Sequence, residues 1–299
     1  MDSQTHHIIE VPQRNIKRYI PKELGFCDSK EYTDMAFLLY AWQNKQIDYN
    51  ELAVQATYKL LKLKPGSRKI NSLEEEIMYA NIAEIAKQCI PTFFDSSGEG
   101  DLYPKQNFIK NHIPTLRPIF KKLYGPESRF QNVTFGQYED ALNLFHLYHK
   151  HPSKELLYML MATFYLPKNQ EYNSSKVEKL SKKFKYIDFG CVYGFFLFFG
   201  SFQIYITSTI VLWEGKKIDF SILFKDNDND DKSVSNIPGL GFKSIAYQLA
   251  ESQVFGDLKT LRKENLWEVM LRLYDLRKRD LDNKAEIKEQ EEQLKQKNQ

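Results

Sequence analysis

The chain has 299 residues with 42 basic and 39 acidic side chains, and its net charge of +3 gives no bulk field to attract nucleic acid or anionic lipid. Hydrophobic residues make up 42% of it and aromatic residues 14%, so it can bury a large core without disulfides. The three cysteines lie far apart without a CxxC pair, which indicates a reducing compartment. The N-terminal residues lack a signal-peptide pattern, so we expect a cytoplasmic rather than a secreted protein.

Residues 1–20 are polar and then basic, which predicts an extended N-terminal arm. Three helices are predicted next, with start signals at Asp28 or Ser29, at Asp48 and at Ser72, because apolar residues recur after each signal at spacings of three and four. The third helix ends before Pro91. Its predicted apolar stripe consists of Ile77, Ile82, Ile85 and Cys89.

Residues 90–133 contain five prolines and yet remain rich in aromatic residues. Since a disordered linker would lack the aromatic residues, we predict an ordered but irregular segment that wraps over the helices or meets a partner. Aromatic rings supply much of the contact area in protein interfaces. The alternative is that all of these rings are internal. The candidate interface residues are Phe93, Phe94, Tyr103, Phe108, Phe120 and Tyr124.

Helices resume after this segment. Thr134 and Gln137 have the spacing of a capping box and predict a helix that runs to about Lys150. A further helix begins after Pro152 and stops at Pro167. A basic helix and a final leucine-rich helix follow, and the final helix leads into a charged tail without the a/d pattern of a coiled coil.

The predicted fold class is therefore mainly α, a multi-helix globular body of about nine helices with the irregular segment and at most a minor β element. We predict two helical units, although one continuous body is the alternative to a boundary near residue 172. The predicted parts are the arm 1–20, the N-terminal unit 21–172 with its irregular stretch 90–133, the C-terminal unit 173–276 and the charged tail 277–299.

Residues 193–213 contain no charge and are long enough to cross a bilayer. On a helical projection the bulky rings gather on one side, while Gly200, Ser201 and Gln203 lie on the other. A helix surrounded by lipid has no use for a small polar side, so we predict a buried core segment rather than a membrane span. Its second half is β-branched enough to be a strand, so the sequence leaves open whether the run is one helix or is broken near Gly200. If helices close against Gly200, replacing it by Leu should disrupt folding.

Two stretches have the composition of a metal site without its spacing. His146, His149 and His151 lie close together, but no acidic or cysteine partner has ligand spacing, so we expect a half-exposed helix end. The acidic run 226–231 lacks the sixth-position Gly and twelfth-position Glu of a calcium loop. The sequence therefore predicts no metal site and no cofactor.

The sequence also predicts no catalytic residues and no small-molecule substrate. The glycines at 239–241 lack the rest of a nucleotide-binding motif, and no nucleophile signature is present. The basic stretches 176–185 and 277–279 could touch phosphates, but charged helical faces are the commoner explanation of such stretches.

Two segments together carry a family resemblance. Residues 123–168 contain a Tyr-Gly-Pro turn, an aromatic-x-x-Tyr helix start and an aromatic-Leu-Pro stop. Residues 241–276 contain a Gly-aromatic pair, then LAE, FG and a leucine-rich helix. This pattern resembles proteins encoded by tailed phages and prophages of Bacteroidetes-type bacteria, over a little more than a quarter of the chain. The resemblance implies a virion structural protein or a tail-assembly factor, in the virion or the host cytoplasm, and supplies no catalytic residue.

We therefore expect a non-enzymatic structural or assembly protein that acts through contacts with other particle proteins or with a second copy of itself. Two alternatives remain open. One is a membrane-associated protein anchored by residues 193–213, and the other is a nucleic-acid-binding accessory protein that uses residues 1–20 and the basic helix at 176–185.

Overall fold

The computed structural model of the chain describes residues 3–11, 15–63, 72–98, 100–118, 122–224, 249–251 and 254–297. The fold is mainly α with small sheets, as predicted. The α-helices are α1 (Ser29–Gln43), α2 (Tyr49–Leu60), α3 (Ser72–Cys89), α4 (Phe135–Lys150), α5 (Lys154–Phe164), α6 (Val177–Ser181), α7 (Phe189–Ser208), α8 (Leu258–Leu261) and α9 (Leu266–Lys297). The strands are β1 (His6–Val11), β2 (Ile16–Pro21), β3 (Phe94–Ser96), β4 (Leu102–Pro104), β5 (Thr115–Leu116), β6 (Leu123–Tyr124), β7 (Leu166–Pro167), β8 (Ile210–Trp213) and β9 (Lys216–Asp219).

All strand pairs are antiparallel, and each sheet is small. β5, β6 and β7 form a three-stranded sheet, and the other strands form hairpins of consecutive strands. In the first hairpin the register runs from His6 opposite Pro21 to Val11 opposite Ile16. The predicted arm is thus extended, but it folds back on itself, and its Ile20 is fully buried.

The predicted helix starts are confirmed at three capping residues. Asp28 caps α1, Asp48 caps α2 and Thr134 caps α4, and each side chain accepts a hydrogen bond from the N–H of the third helical residue. These bonds satisfy backbone donors that the first helical turn leaves without partners. The predicted end of α4 at Lys150 is also confirmed.

α7 is the most buried helix of the described chain, and it packs against α1 and α5. It is one continuous helix to Ser208, and β8 begins two residues later at Ile210. The helix passes Gly200 without a break, which answers the question that the sequence left open, and it includes the β-branched residues Ile204, Ile206 and Thr207 before it ends. The run 193–213 is a buried helix followed by a strand.

Two glycines let α7 approach α1 closely. A Cβ atom on Gly190 would lie 2.2 Å from the Thr33 carbonyl oxygen, and one on Gly194 would lie 2.8 Å from the Tyr32 ring. The Tyr32 hydroxyl donates a 2.7 Å hydrogen bond to the Gly194 carbonyl. The two helix backbones therefore meet where side chains are absent.

The small polar side of α7 contacts the irregular segment instead of another helix. The Ser201 hydroxyl accepts a 2.9 Å hydrogen bond from the Phe108 N–H and donates one to the Phe108 carbonyl. A Cβ atom on Gly200 would meet the Gln106 amide at 2.9 Å. The expectation that helices close against Gly200 is wrong, since closure takes place nearer the N-terminus of α7.

The bulky side of α7 packs around one ring from the irregular segment. Phe130 stacks on Phe202 at 4.3 Å and on Phe198 at 4.7 Å between ring centroids, and it meets Phe164 of α5 edge-on at 5.3 Å. Residues from both sides of the predicted boundary at 172 therefore belong to one hydrophobic core. Whether the two units fold separately stays a prediction.

The C-terminal helices dock on the start of α4. Arg262 forms ion pairs with Glu139, which is only 3% exposed, and with Asp140 at 2.6 Å. The N–H of Phe135 donates to the Glu264 carbonyl at 2.9 Å. The two segments that carry the family resemblance are thus in contact. The predicted charged tail continues α9 without interruption to Lys297.

Candidate functional site

The six predicted interface aromatics do not form one surface. Three of them have relative exposures of 6% or less and belong to the core, so a partner could not reach them without opening it. These three are Phe93, Phe94 and Phe108. Tyr103 is 49% exposed and Tyr124 is 39% exposed, while Phe120 lies outside the described residues. Of the five candidates that the structure describes, the two tyrosines remain available for the predicted interface.

Several exposed apolar side chains lie instead close together in the first half of α3. All of residues 72–81 are exposed, and four large apolar side chains lie among them. Leu73 is 64% exposed, Ile77 53%, Tyr79 52% and Met78 37%. Ile82 is 4% exposed, so the core covers only the second half of this helix. The predicted inward orientation of Ile77 is therefore wrong.

Acidic side chains surround this exposed half of α3. The helix contains Glu74, Glu75, Glu76 and Glu84 and a single basic residue, Lys87. Three consecutive glutamates lie directly between Leu73 and Ile77. We name the exposed residues 72–81 of α3 the α3 surface; it combines apolar contact area with negative charge.

A second feature is a cavity of about 450 Å³ between α1, α4, α7 and the irregular segment. It brings together Tyr103 and His149, two residues that the sequence had placed in separate candidate sites. Its remaining wall consists largely of rings and amides, and the rings of Phe196 and Tyr148 lie 4.8 Å apart between centroids. The amide residues are Gln43, Asn44, Gln106 and Gln203.

The groups on this cavity wall are uncharged at neutral pH. Burial raises the pKa of Tyr148 to about 12, and burial together with nearby His146 lowers the pKa of His149 below its ordinary value. The side-chain oxygen of Gln203 accepts a 2.9 Å hydrogen bond from the Tyr138 hydroxyl. No carboxylate lies among the described lining residues, so this wall offers hydrogen bonds and ring faces rather than a paired acid and base.

The three neighbouring histidines lie where the sequence placed them, at the end of α4. His146 and His149 lie in its last turns and are exposed, and His151 follows the last helical residue. The ring of His149 packs edge-on against Phe145 at 4.6 Å. Within the described ranges, no group of three or more His, Cys, Asp or Glu residues could hold a metal ion.

Two candidate stretches from the sequence, the acidic run 226–231 and the glycines at 239–241, lie outside the described residues. Sequence reasoning missed the α3 surface, because Leu73 and Ile77 recur at helical spacing just like covered residues. It also missed Gly190 and Gly194, which together have the small-xxx-small spacing that permits close helix approach. That spacing is a signal that could have found them.

Comparison of the chain with family models, with curated proteins and with solved structures finds no match.

Proposed function

We propose that this chain is a non-enzymatic structural or assembly protein of a phage-like particle, either a virion component or a tail-assembly factor, and that it binds another protein through the α3 surface. One observation carries the proposal: residues 72–81 are exposed throughout, although four of them are large and apolar. Contiguous exposed apolar patches of this kind mark interaction sites in soluble proteins.

Burial of the exposed half of α3 against a partner would be favourable in free energy. Fully burying a large aliphatic side chain stabilises a complex by roughly 1.5–3 kcal/mol, so Leu73 and Ile77 together offer several kcal/mol. An amphipathic helix with anchors spaced four residues apart fits the groove of a partner, as in helix-in-groove recognition. The other half of α3 already packs on the body through Ile82 and Ala86, which holds the exposed half in place.

The charge of α3 indicates what the partner surface contains. Four glutamates and one lysine give the helix a net negative charge, so an acidic partner would be repelled. We therefore expect a protein with an apolar groove that is flanked by Lys or Arg. The partner is expected among other proteins of the particle or its assembly.

The burial of α7 favours this proposal over membrane anchoring. α7 is long and apolar enough to cross a bilayer, with a mean hydropathy of 1.6, but 72% of its most apolar stretch is buried inside the protein. Insertion would require α7 to separate from α1, where Gly190 and Gly194 bring the backbones together. The nucleic-acid alternative has less support, because β1 and β2 pair with each other and are not a free basic arm.

The test uses purified products of the genes that neighbour this one, each assayed by pull-down and by titration calorimetry. We expect one of them to bind, and we expect the variant Leu73→Gln/Ile77→Gln to weaken that binding at least tenfold. The matched control is Ile287→Gln/Leu294→Gln, which changes two side chains of similar exposure, 55% and 60%, at the far end of α9. The control should leave the affinity unchanged.

The proposal would be overturned by either of two results. The first is a protein that remains monomeric in light scattering and binds none of the neighbouring gene products. The second is a partner whose binding is weakened equally by both double variants, because exposed apolar area in general, and not the α3 surface, would then be responsible.

A further inference from the structure

An apolar cleft of about 540 Å³ lies between α5, α6 and the sheet formed by β5, β6 and β7. Its floor contains Leu123, Ala162 and Val177, which are all buried, and the half-buried Leu166 and Leu180 line it as well. The volume falls within the range of roughly 300–1,000 Å³ that is usual for small-molecule sites. The cleft lies apart from the α3 surface and is independent of the proposed protein contact.

Three lysines line the same cleft. Lys176 directly precedes α6, Lys179 lies within it and Lys183 follows it, at spacings of three and four residues, and all three line the cleft. Their side chains extend from exposed positions, and none of them forms an ion pair within the described part of the chain. The cleft therefore combines an apolar floor with three positive charges.

The neighbouring basic residues of the same stretch are engaged elsewhere. Lys182 forms an ion pair with Glu178 at 3.2 Å, and the Lys185 ammonium lies 4.8 Å from the centroid of the Tyr186 ring. Neither lysine lines the cleft. The charged stretch 176–185 is thus divided between lysines that line the cleft and lysines on an ordinary solvated face.

We propose that this cleft binds a single-chain anionic amphiphile, with the alkyl chain on the apolar floor and a carboxylate head beside the three lysines. Each methylene that leaves water strengthens binding about fourfold, and the ammonium groups attract an anionic head and repel a cationic one. Single-stranded nucleic acid fits less well, because the described lining contains no aromatic ring on which a base could stack.

The first experiment measures binding of octanoate, decanoate and dodecanoate below their micelle concentrations by titration calorimetry with the full chain. Affinity should rise about fifteenfold for each added pair of methylenes until the cleft is full. Decanol and decyltrimethylammonium serve as probes with the same chain and a different head. Decanoate should bind most tightly and the ammonium compound most weakly.

The second experiment compares two sets of lysine variants. Lys176→Gln/Lys179→Gln/Lys183→Gln should weaken decanoate binding about tenfold, remove most of its salt dependence and leave decanol binding unchanged. Lys182→Gln/Lys185→Gln should retain wild-type affinity. All five side chains are exposed, so both proteins should fold, which circular dichroism confirms.

Several outcomes would overturn the proposal. Affinity that does not depend on chain length would exclude the apolar floor as the binding surface. Equal binding of decanoate and decyltrimethylammonium, or equal effects of the two variant sets, would exclude the lysines. Binding to vesicles of anionic phospholipid or to a short oligonucleotide without any binding of decanoate would show that the same charges serve a membrane or a nucleic acid.

Discussion

Two stretches of helix in this protein carry large apolar side chains on several sides, and the rest of the chain covers only one of them. In α7 every residue from Val192 to Phe202 is buried, whereas in α3 every residue from 72 to 81 is exposed. Both stretches contain large apolar side chains, but the stretch in α3 also contains three glutamates. Apolar content therefore predicts that the side chains of a helix need to be buried, but it does not tell whether the same chain or a partner buries them.

The difference lies in the contacts that surround each stretch. α7 is held by α1 at Gly190 and Gly194, by the irregular segment at Ser201 and by ring stacking on Phe130. The exposed half of α3 lies on the N-terminal side of Ile82, and Ile82 is the first residue of this helix that the core buries. We expect changes at the first set of contacts to destabilise the fold, and changes on the α3 surface to affect binding alone.

Gly190→Ala should have the largest effect on stability. Its Cβ atom would lie 2.2 Å from the backbone oxygen of Thr33, so α7 must move away from α1. We expect the free energy of unfolding to fall by about 3 kcal/mol or the protein not to fold. Chemical denaturation measures this change.

The matched control is Gly200→Ala. Its Cβ atom would meet only the movable Gln106 amide, and alanine favours the helix by about 1 kcal/mol, so stability should stay within about 1 kcal/mol of wild type. Equal losses at the two glycines would contradict the close approach of α1 and α7.

Low pH should lower the free energy of unfolding through the buried His112. This ring is 3% exposed and stacks on Tyr32 at 4.5 Å, and burial, together with the charge of Lys110, lowers its pKa from 6.5 to about 4. Between pH 6.5 and about pH 4, the unfolded chain binds a proton at this histidine that the folded chain does not bind. Stability from this group is therefore complete above pH 6.5 and is lost as the pH falls to about 4, by about 3 kcal/mol in total.

Denaturation of His112→Phe between pH 4 and 7 tests this assignment, because phenylalanine preserves the ring stack and does not titrate. The variant should lose about 3 kcal/mol less than wild type across this range. If His112→Phe keeps the wild-type pH dependence, His112 is not the titrating group.

The α3 surface should contribute little to stability on its own. Leu73→Gln/Ile77→Gln replaces two exposed side chains, so the free energy of unfolding should change by less than about 0.5 kcal/mol per residue. Ile82→Ala in the covered half of the same helix should cost about 2–4 kcal/mol. A large loss of stability in Leu73→Gln/Ile77→Gln would mean that these two side chains pack against the rest of the chain.

The smallest effect on stability is expected from removing the C-terminal end of α9. This end is exposed, like the first half of α3, but it is mostly polar. Residues 282–296 are all exposed, and ion pairs such as Lys284–Asp280 at 3.5 Å support the helix where it leaves the body. Truncation after Leu281 should leave the melting temperature within about 1 °C, because exposed ion pairs contribute little. Circular dichroism should show only the loss of helical signal from residues 282–297. A lower melting temperature would show that this polar end stabilises the body.

Local chemistry made much of the fold predictable. Asp28, Asp48 and Thr134 mark helix starts because a capping side chain satisfies donors within its own turn, which requires no distant residue. The end of α4 at Lys150 also follows from the sequence, because Pro152 comes shortly after it. The mainly α fold class is the sum of such local signals.

The candidate sites were less predictable, because exposure depends on what packs nearby. Phe93 and Tyr103 have similar surroundings in sequence, yet one is fully buried and the other is 49% exposed. Ile77 and Ile82 occupy one predicted stripe, and only Ile82 reaches the core. Sequence spacing alone does not distinguish the lysines that line the cleft from the others in the same stretch, Lys182 and Lys185.

The sequence by itself determined where most helices begin, which stretches are apolar and that α7 needs to be surrounded by protein. Only the tertiary structure decided which apolar residues are covered, since cover comes from elements far apart in the chain, such as α1 against Gly190 of α7. The physical reason is that caps and helical periodicity act within a few residues, whereas burial is a property of the assembled body.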